Sequence, residues 1–262
     1  MKKIFWSIVL CLITFLSCQA DKLQVNDVVL YYEVHGNGKP LLLIHGGSGS
    51  VDSVRDLIAP LAENHKVIAI DLREHGYSTP SDKSLSYALE GEDIIELIKK
   101  LDLGKVDFVG HSDGGIVGLY IAMKNPDMIN RLAVVGTNYH FDGLPGGIRD
   151  YIAALTEENM SADARQDYLK HSDNMDGFAE FVAELKNLWL TGPVWTEKDL
   201  ENIQAKTLVA VGDKDFITLE HTISMYRAIK KSELAVIPGS EHSIHKINVP
   251  LLNAILVDFF SK

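Results

Sequence analysis

Short apolar runs alternate with stretches of helical spacing along most of this chain. Runs such as Pro40–Ile44 and Val67–Ile70 are apolar at every position, which predicts strands buried on both faces of a sheet. The apolar residues of Tyr87–Leu101 instead recur every three or four positions, which predicts an amphipathic helix. Strands are thus predicted at residues 28–34, 40–44, 67–70, 106–109, 132–135, 207–211 and 234–237, and helices at 51–64, 87–101, 116–124, 219–229 and 249–260. The alternation predicts an α/β fold with a mostly parallel central sheet flanked by helices.

Residues 138–200 interrupt this alternation. They begin with a stretch rich in glycine and proline, Gly143–Gly147. Helical patterns follow at residues 148–155, 162–171 and 178–190. We therefore predict a small helical lid at 138–200, inserted into one core domain formed by residues 21–137 and 201–262. Ordinary long crossover connections are the alternative interpretation.

Residues 1–20 have the pattern of an export signal. Met1–Lys3 is basic, Ile4–Leu16 is almost wholly apolar and uncharged, and polar residues return at Ser17. The apolar run is shorter than the roughly 20 residues that a membrane-spanning helix needs. An anchor helix or a buried strand is the less favoured alternative. We predict export to the bacterial cell envelope or periplasm.

The end of this segment, Ser17-Cys18, resembles the end of a bacterial lipoprotein box, where the cysteine is lipidated and becomes the new N-terminus. Phe15 departs from the aliphatic residue that usually stands three positions before that cysteine. Lipidation of Cys18, with attachment to a membrane, is the favoured prediction, and ordinary cleavage after Ala20 is the alternative. Cys11 and Cys18 are the only cysteines of the chain, so the mature protein is expected to have no disulfide and no thiol nucleophile.

The composition is that of an ordinary globular protein with an acidic surface. The chain has 262 residues, 46% of them hydrophobic, and a formal net charge of −11. Outside the N-terminus it has no run of lysine and arginine. Because an acidic surface repels phosphate backbones, a nucleic-acid partner is not expected. The composition does not indicate an oligomeric state.

The segment Gly110-His111-Ser112-Asp113-Gly114 matches the pattern Gly-x-Ser-x-Gly. The pattern alone is common, but here it follows a predicted strand and precedes a predicted helix. Such a strand-to-helix turn exposes the serine oxygen above the carboxyl end of the sheet and places a helix N-terminus beneath it. Ser112 is therefore the candidate nucleophile.

A serine hydroxyl needs a base, and the base needs an acid that orients it. Asp215 follows a buried strand and is the candidate acid, with Asp213 as the alternative. His242 follows the last predicted strand and is the candidate base, with His245 as its main competitor. His111 is adjacent to the nucleophile but is expected to point away from it, on the other side of the turn.

An oxyanion hole needs two backbone N–H donors. The first candidate donor is Asp113, which follows the nucleophile. The second is Gly47, in the loop His45–Gly49 after a predicted strand, with Ser48 as the alternative. A phosphate-binding loop is not expected there, because no Lys-Ser or Lys-Thr pair follows the glycines. This set of residues needs neither a metal ion nor an organic cofactor.

These segments together resemble the α/β-hydrolase superfamily over residues 25–262. The resemblance includes Asp71–Ser78, where Glu74 stands in a position that the family commonly gives to glycine. This departure is expected to change the shape of the loop and not the catalytic residues. Ser112–Gly115 and Glu241–His245 are similar to the valacyclovir hydrolase (biphenyl hydrolase-like) group. That resemblance implies esters of α-amino acids as substrates.

The resemblance leaves two roles for the Asp113 side chain. Its carboxylate could pair with the ammonium group of an amino-acid ester, or it could be tied to the protein so that only its backbone N–H takes part. The expected reaction is hydrolysis of a small carboxylic ester through an acyl-enzyme intermediate. The same residues could cleave a lactone, thioester, amide or carbon–carbon bond, or support a peroxidase or acyl-transfer side reaction. A non-catalytic ligand-binding protein on the same fold is the alternative class.

Overall fold

The computed structural model describes residues 19–172 and 177–262, which contain one central sheet. Its strands are β1 (Gln19–Val25), β2 (Val28–His35), β3 (Lys39–Ile44), β4 (His65–Ile70), β5 (Val106–His111), β6 (Ile129–Val135), β7 (Lys206–Gly212) and β8 (Ser232–Ile237). They lie in the order β1-β2-β4-β3-β5-β6-β7-β8. Strands β3 to β8 pair with one another in parallel, whereas β2 is antiparallel to both β1 and β4. The mostly parallel sheet that the sequence predicts is confirmed.

The apolar spacing also predicts the main helices. The described helices are α1 (Arg55–Ala62), α2 (Tyr87–Lys100), α3 (Asp113–Lys124), α4 (Gly146–Ala153), α5 (Ala162–His171), α6 (Phe178–Thr191), α7 (Glu197–Leu200), α8 (Leu219–Ala228), α9 (Ile244–Ile247) and α10 (Val249–Ser261). The predicted helix at 51–64 is divided, because a 3₁₀ turn at Val51–Val54 precedes α1 and is capped by the side chain of Ser50. Within the described ranges, no helix has the length and apolar character needed to cross a membrane.

The edge strand β1 is absent from the prediction. Its residues, Gln19–Val25, are mostly polar or charged, so they show no apolar alternation. Antiparallel pairing with β2 joins Val25 to Val28 across a tight turn, in which Asn26 has a φ of 43°. An Asn-Asp pair suits such a hairpin turn and is the one local signal for this strand. Residues 1–18 of the predicted export signal, with the predicted lipidation site Cys18, lie outside the described residues.

Alternate residues of the buried strands pack on opposite faces of the sheet. In β3, Leu42 and Ile44 belong to the apolar cluster formed with α2 and α3, whereas Leu41 and Leu43 belong to the cluster formed with α1 and α10. All four side chains are fully buried. A continuous apolar run is therefore the expected pattern for this strand, and each such side chain contributes about 1.5–3 kcal/mol to stability.

Helices α4 to α7 lie between β6 and β7 in the sequence. All four fall within residues 138–200, which are called the lid below. Leu144 and Ile152 of the lid pack against Ile217, which follows β7. The lid also borders the same cavity as Ser112. Its helices thus connect to the core beside the predicted nucleophile.

Polar contacts tie α5 of the lid to the core. Ser50 donates its hydroxyl to Asp167 at 2.9 Å. Lys246 of α9 pairs with Asp163 at 3.4 Å. Since these pairs are partly exposed, each adds little stability by itself, but together they define where α5 rests.

Glu74 lies in the loop after β4 and has a φ of 66°. This left-handed conformation favours glycine, so Glu74 adopts the backbone shape for which glycine would be the better residue. The neighbouring Arg73 has a fully buried side chain that donates to Asp93 of α2 at 2.7 Å, which anchors the loop. Burial and the nearby carboxylate of Glu184 raise the pKa of Glu74 to about 7.

We expect Glu74→Gln to stabilise the protein more at pH 8 than at pH 5. The folded state raises the pKa of this carboxyl from 4.5 to about 7, so it disfavours ionisation. The free energy of unfolding is therefore highest below pH 4.5, where Glu74 is protonated in both states, and it falls as the pH rises toward 7. Glutamine cannot ionise and avoids this loss, which is about 1 kcal/mol after allowance for solvent screening of a half-buried group.

Urea denaturation at both pH values measures this difference. Glu63→Gln, on an exposed residue at the end of α1, is the control and should change the free energy of unfolding equally at pH 5 and pH 8. A Glu74→Gln effect that is independent of pH would contradict the prediction.

Candidate active site

Ser112 alone forms the turn between β5 and α3. Its backbone has a φ of 51° and a ψ of −117°, a strained conformation for a residue with a side chain. The turn is tight, because a Cβ atom at Gly110 would lie 2.2 Å from the carbonyl oxygen of Gly114. The serine therefore projects from a sharp strand-to-helix turn at the N-terminus of α3, the arrangement that the Gly-x-Ser-x-Gly pattern predicts.

The side chains of Ser112, His242 and Asp215 form a continuous hydrogen-bonded chain. His242 Nε2 lies 3.0 Å from Ser112 Oγ, and His242 Nδ1 lies 2.9 Å from Asp215 Oδ1. The Asp215 side chain is fully buried, and its Oδ1 also accepts the amide N–H of Ile217 at 2.9 Å. A carboxylate in this position keeps the proton of the neutral imidazole on Nδ1, which leaves Nε2 free to accept the serine proton.

The two alternative candidates occupy other positions. Asp213 Oδ1 accepts the amide N–H of Ser240 at 3.1 Å, so this carboxylate holds the loop that carries His242 and does not contact the imidazole. His245 lies in α9 with its ring 4.1 Å from that of His111, and only 4% of the residue is exposed. Burial lowers the pKa of His245 to about 4, so its ring is neutral.

His45 holds the loop that follows β3. Its Nδ1 donates to the carbonyl oxygen of Gly46 at 2.7 Å, and its Nε2 accepts the amide N–H of Leu72 at 3.1 Å. Burial lowers the pKa of His45 to about 3, so the ring is neutral and can donate and accept at once. The backbone carbonyl of His45 accepts the amide N–H of Gly114 at 3.0 Å, which ties this loop to the nucleophile turn.

Gly47 lies against the first turn of α3. A Cβ atom at Gly47 would lie 2.2 Å from Asp113 Oδ2 and 2.8 Å from Trp189 Cζ2, so a larger residue would displace one of these groups. Within the described residues, the amide N–H groups of Gly47, Ser48 and Asp113 donate to no other group. These amides can therefore donate to a substrate oxygen, as the sequence-predicted oxyanion hole requires.

Asp113 is 4% exposed and is one of the residues that line the cavity beside Ser112. Tyr87 donates its hydroxyl to Oδ1 at 3.1 Å, and Trp189 donates its indole N–H to Oδ2 at 2.7 Å. Burial raises the pKa of Asp113, and these two hydrogen bonds oppose the rise. Among the described side chains, no cation forms an ion pair with it. The carboxylate is thus tied to the protein by two donors and has no ion-pair partner among the described residues.

A second buried acid, Glu90 of α2, lies in the same region. In the described part of the chain, neither of its carboxyl oxygens has a hydrogen-bond partner. Burial and the nearby charge of Asp113 raise the pKa of Glu90 well above its ordinary value. Burial thus disfavours the ionised form of both carboxyl groups, and of the two only Asp113 has hydrogen-bond donors facing its oxygens.

A cavity of about 880 Å³ lies above Ser112, a size that suits a small-molecule ligand. One part of its lining is apolar and comes from the lid: Leu144, Ile148, Ile152 and Leu155. Another part is polar and comes from the core and α5: Asp52, Asp56, Asp163, Gln166, Asp167, Lys170 and Lys246. The cavity therefore offers both an apolar and a hydrogen-bonding surface next to the nucleophile.

One group of described residues has the spacing of a metal site. Potential ligand atoms of Asp52, Asp167 and His171 all lie within 4.8 Å of one another. Asp52 already pairs with Arg55 and with the ammonium group of Lys170. These cations neutralise the carboxylate, so the group is better explained as a polar contact between α5 and the core than as a metal site.

Trp189 is one of several aromatic residues that could line the pocket, but aromatic residues at helical spacing are more often core residues, so the sequence assigns neither it nor Tyr87 to the site. Tyr87 fits the buried face of α2, and Trp189 fits that of α6. Each reaches Asp113 from a distant part of the chain. Their role beside the nucleophile is visible only in the tertiary structure.

We expect Gly47→Ala to lower the free energy of unfolding by about 1–3 kcal/mol, because the new methyl group would overlap Asp113 and Trp189. Gly147→Ala is the matched control: this glycine lies in α4, and no atom lies within 4 Å of where its Cβ would be. The control should be neutral or stabilise by up to about 1 kcal/mol. Urea denaturation followed by tryptophan fluorescence measures both, and equal effects would contradict the crowding at Gly47.

Comparisons with known proteins identify the family of the chain. A family model described as "alpha/beta hydrolase fold" matches residues 39–249. Serine hydrolase BPHL of Mus musculus is 27% identical over 249 residues, which cover 91% of this chain and 85% of that protein. Esterase YbfF of Escherichia coli is 24% identical over 227 residues, which cover 80% of this chain and 88% of that protein.

A solved structure shows the same fold. The serine hydrolase CarC, involved in carbazole degradation, superposes with a TM-score of 0.76 at 22% identity, covering 94% of this chain and 99% of that one. The family model spans most of the chain, and the related proteins are named serine hydrolases and esterases. This chain therefore belongs to the α/β-hydrolase family and is a hydrolase of that family.

Proposed function

We propose that this protein is a serine esterase that cleaves small carboxylic esters through an acyl-enzyme intermediate. The observation that carries the proposal is the hydrogen-bonded chain from Ser112 Oγ through His242 to the buried Asp215. This chain lies beside a cavity large enough for a small substrate. A nucleophile, a base and an orienting acid in contact are what acyl transfer at neutral pH requires.

The first half of the reaction acylates the enzyme. Ser112 Oγ attacks the ester carbonyl carbon while His242 Nε2 takes the hydroxyl proton, and the carbonyl oxygen becomes an oxyanion. The amide N–H groups of Gly47 and Asp113 stabilise that charge. The tetrahedral intermediate then collapses, its bond to the leaving oxygen breaks, and His242 gives its proton to that oxygen, which departs as an alcohol.

The second half releases the acid. A water molecule loses a proton to His242 and attacks the acyl carbon, and collapse of the second tetrahedral intermediate frees the carboxylic acid and returns the proton to Ser112. Asp215 orients His242 and stabilises its imidazolium form in both halves. The chemistry needs no group from outside the chain other than substrate and water.

Asp113 supports α-amino-acid esters as the substrate class. Asp113 follows the nucleophile directly and lines the cavity, and no described cation forms an ion pair with its carboxylate. Tyr87 and Trp189 each occupy one acceptor position, and a carboxylate has further lone pairs for an ammonium group. An ammonium group on the acyl part would supply the missing positive charge. Lactones, thioesters, amides and carbon–carbon bonds remain competing substrates because they would use the same residues.

We expect Ser112→Ala to lower kcat for p-nitrophenyl acetate and butyrate by at least about 1,000-fold, because the covalent intermediate cannot form. Wild type and variant are compared in steady-state assays, and both are treated with a fluorophosphonate. The wild type should incorporate one label at Ser112. If the wild type neither turns over esters nor takes the label, the proposal is wrong and a non-catalytic binding protein replaces it.

We expect Asp113→Asn to reduce kcat/KM for a p-nitrophenyl ester of valine by about 10- to 100-fold, the loss of one charged hydrogen bond. The ester of 3-methylbutyrate has the same shape without the ammonium group, and its kcat/KM should change by less than about 3-fold. Asn retains the backbone N–H, so the oxyanion hole is preserved. Asp56→Asn, an exposed carboxylate that also lines the cavity, is the control and should not discriminate between the esters. Equal losses for both esters with Asp113→Asn would rule out ammonium recognition.

A further inference from the structure

His111 is the last residue of β5 and directly precedes the nucleophile. The sequence predicts that it points away from the site, and its ring indeed makes no hydrogen bond to Ser112 Oγ. The prediction is incomplete, because His111 Nε2 lies 2.9 Å from the backbone carbonyl oxygen of His242. Only 6% of His111 is exposed. The ring therefore lies under the loop that carries the base.

The direction of this hydrogen bond follows from its partner. A carbonyl oxygen can only accept, so the proton of His111 is on Nε2. Burial and the neighbouring imidazoles of His245 and His242 lower the pKa of His111 well below its ordinary value. The ring is thus a neutral donor, and it adds no positive charge beside His242, which becomes an imidazolium in each turnover.

The loop that carries His242 is held from two sides. Two residues that follow β7 hold Ser240. The amide N–H of Ser240 donates to Asp213 Oδ1 at 3.1 Å, and the carbonyl oxygen of Ser240 accepts the amide N–H of Lys214 at 3.0 Å. These contacts fix the loop next to the acid. The contact from His111 fixes the same loop next to the nucleophile.

We propose that His111 is a positioning residue that sets the separation of Ser112 Oγ and His242 Nε2 by holding the carbonyl group of His242. Two hydrogen bonds join the same two segments. The His242 ring contacts Ser112 Oγ, and the His242 carbonyl oxygen accepts from His111, which is linked to Ser112 by one peptide bond. The separation of 3.0 Å lies within the range for proton transfer, and a small movement of the loop would exceed it. This inference rests on the proposed roles of Ser112 and His242.

Two substitutions separate hydrogen bonding from packing. His111→Phe keeps a ring of similar size without a donor, whereas His111→Gln places an amide N–H the same number of bonds from Cα as the histidine Nε2. We expect His111→Phe to lower kcat for p-nitrophenyl acetate by about 10- to 100-fold with KM changed by less than about 3-fold. His111→Gln should retain kcat within about 5-fold of wild type. A purely packing role predicts the reverse order, with Phe the better replacement.

His65→Phe is the control for loss of a buried histidine. His65 begins β4, at the opposite end of the sheet from Ser112, and lies 3.6 Å from Asp107. This variant should lower Tm without lowering kcat. His111→Leu is a second variant without a donor, for use if Phe prevents folding, and it should show the same loss relative to Gln.

The rate of fluorophosphonate labelling of Ser112 distinguishes the possible failures. Slow labelling of His111→Phe or His111→Leu, with recovery in His111→Gln, supports the positioning role. A labelled wild type with equally fast labelling of the variants that lack a donor overturns the role of His111 and leaves the proposed function intact. An unlabelled wild type overturns the proposed function and the role of His111 with it.

Discussion

The backbone of Ser112 is bent into a positive-φ conformation that costs about 1–3 kcal/mol for a residue with a side chain. Its surroundings compensate for this strain. The amide N–H of Ser112 donates to the carbonyl oxygen of Val135 at 2.9 Å, and its own carbonyl accepts from Gly115 and Ile116 at 2.9 and 3.1 Å. Because β5 lies between β3 and β6 in the interior of the sheet, the turn emerges from a part of the molecule that packing holds on both sides. The positions of the other site residues are defined relative to this turn.

The parallel strands explain how distant segments reach that turn. The loop that carries Gly47 follows β3, Asp215 follows β7, and His242 follows β8. All three therefore lie at the carboxyl edge of the sheet, from which Ser112 projects. At the carboxyl edge of a parallel sheet, loops that are far apart in the sequence lie close together in space. Backbone hydrogen bonds then hold residues that follow one strand to the next element, as from Gly114 of α3 to His45 and from Gly136 to Ala210 of β7. The buried side chains of His45 and His111 each hold one of these loops. Burial lowers the pKa of both, and an uncharged imidazole can form hydrogen bonds inside the protein without a counter-ion.

The buried acids beside the nucleophile have a different physical character from the rest of the core. Burial raises the pKa of both Glu90 and Asp113, and Asp113 is in addition held by two hydrogen-bond donors and lacks an ion-pair partner among the described residues. One of those donors, Trp189, belongs to the lid, so the position of the lid and the environment of Asp113 are coupled. Burying a carboxyl group without a cation partner costs desolvation free energy, and groups with such perturbed pKa values concentrate at functional sites.

Local patterns in the sequence determine the order of strands and helices, the turn at Ser112 and the presence of an acid and a histidine after later strands. These features depend on residues a few positions apart, where periodicity and turn chemistry act directly. The polar edge strand β1 is hidden because pairing with β2, not its own apolar content, maintains it. Only the tertiary structure decides that Asp215 and not Asp213 contacts His242, that His111 holds the base loop, and that Tyr87 and Trp189 meet Asp113. Those contacts join segments far apart in the chain, and their distances depend on how the whole core packs, which no local pattern contains.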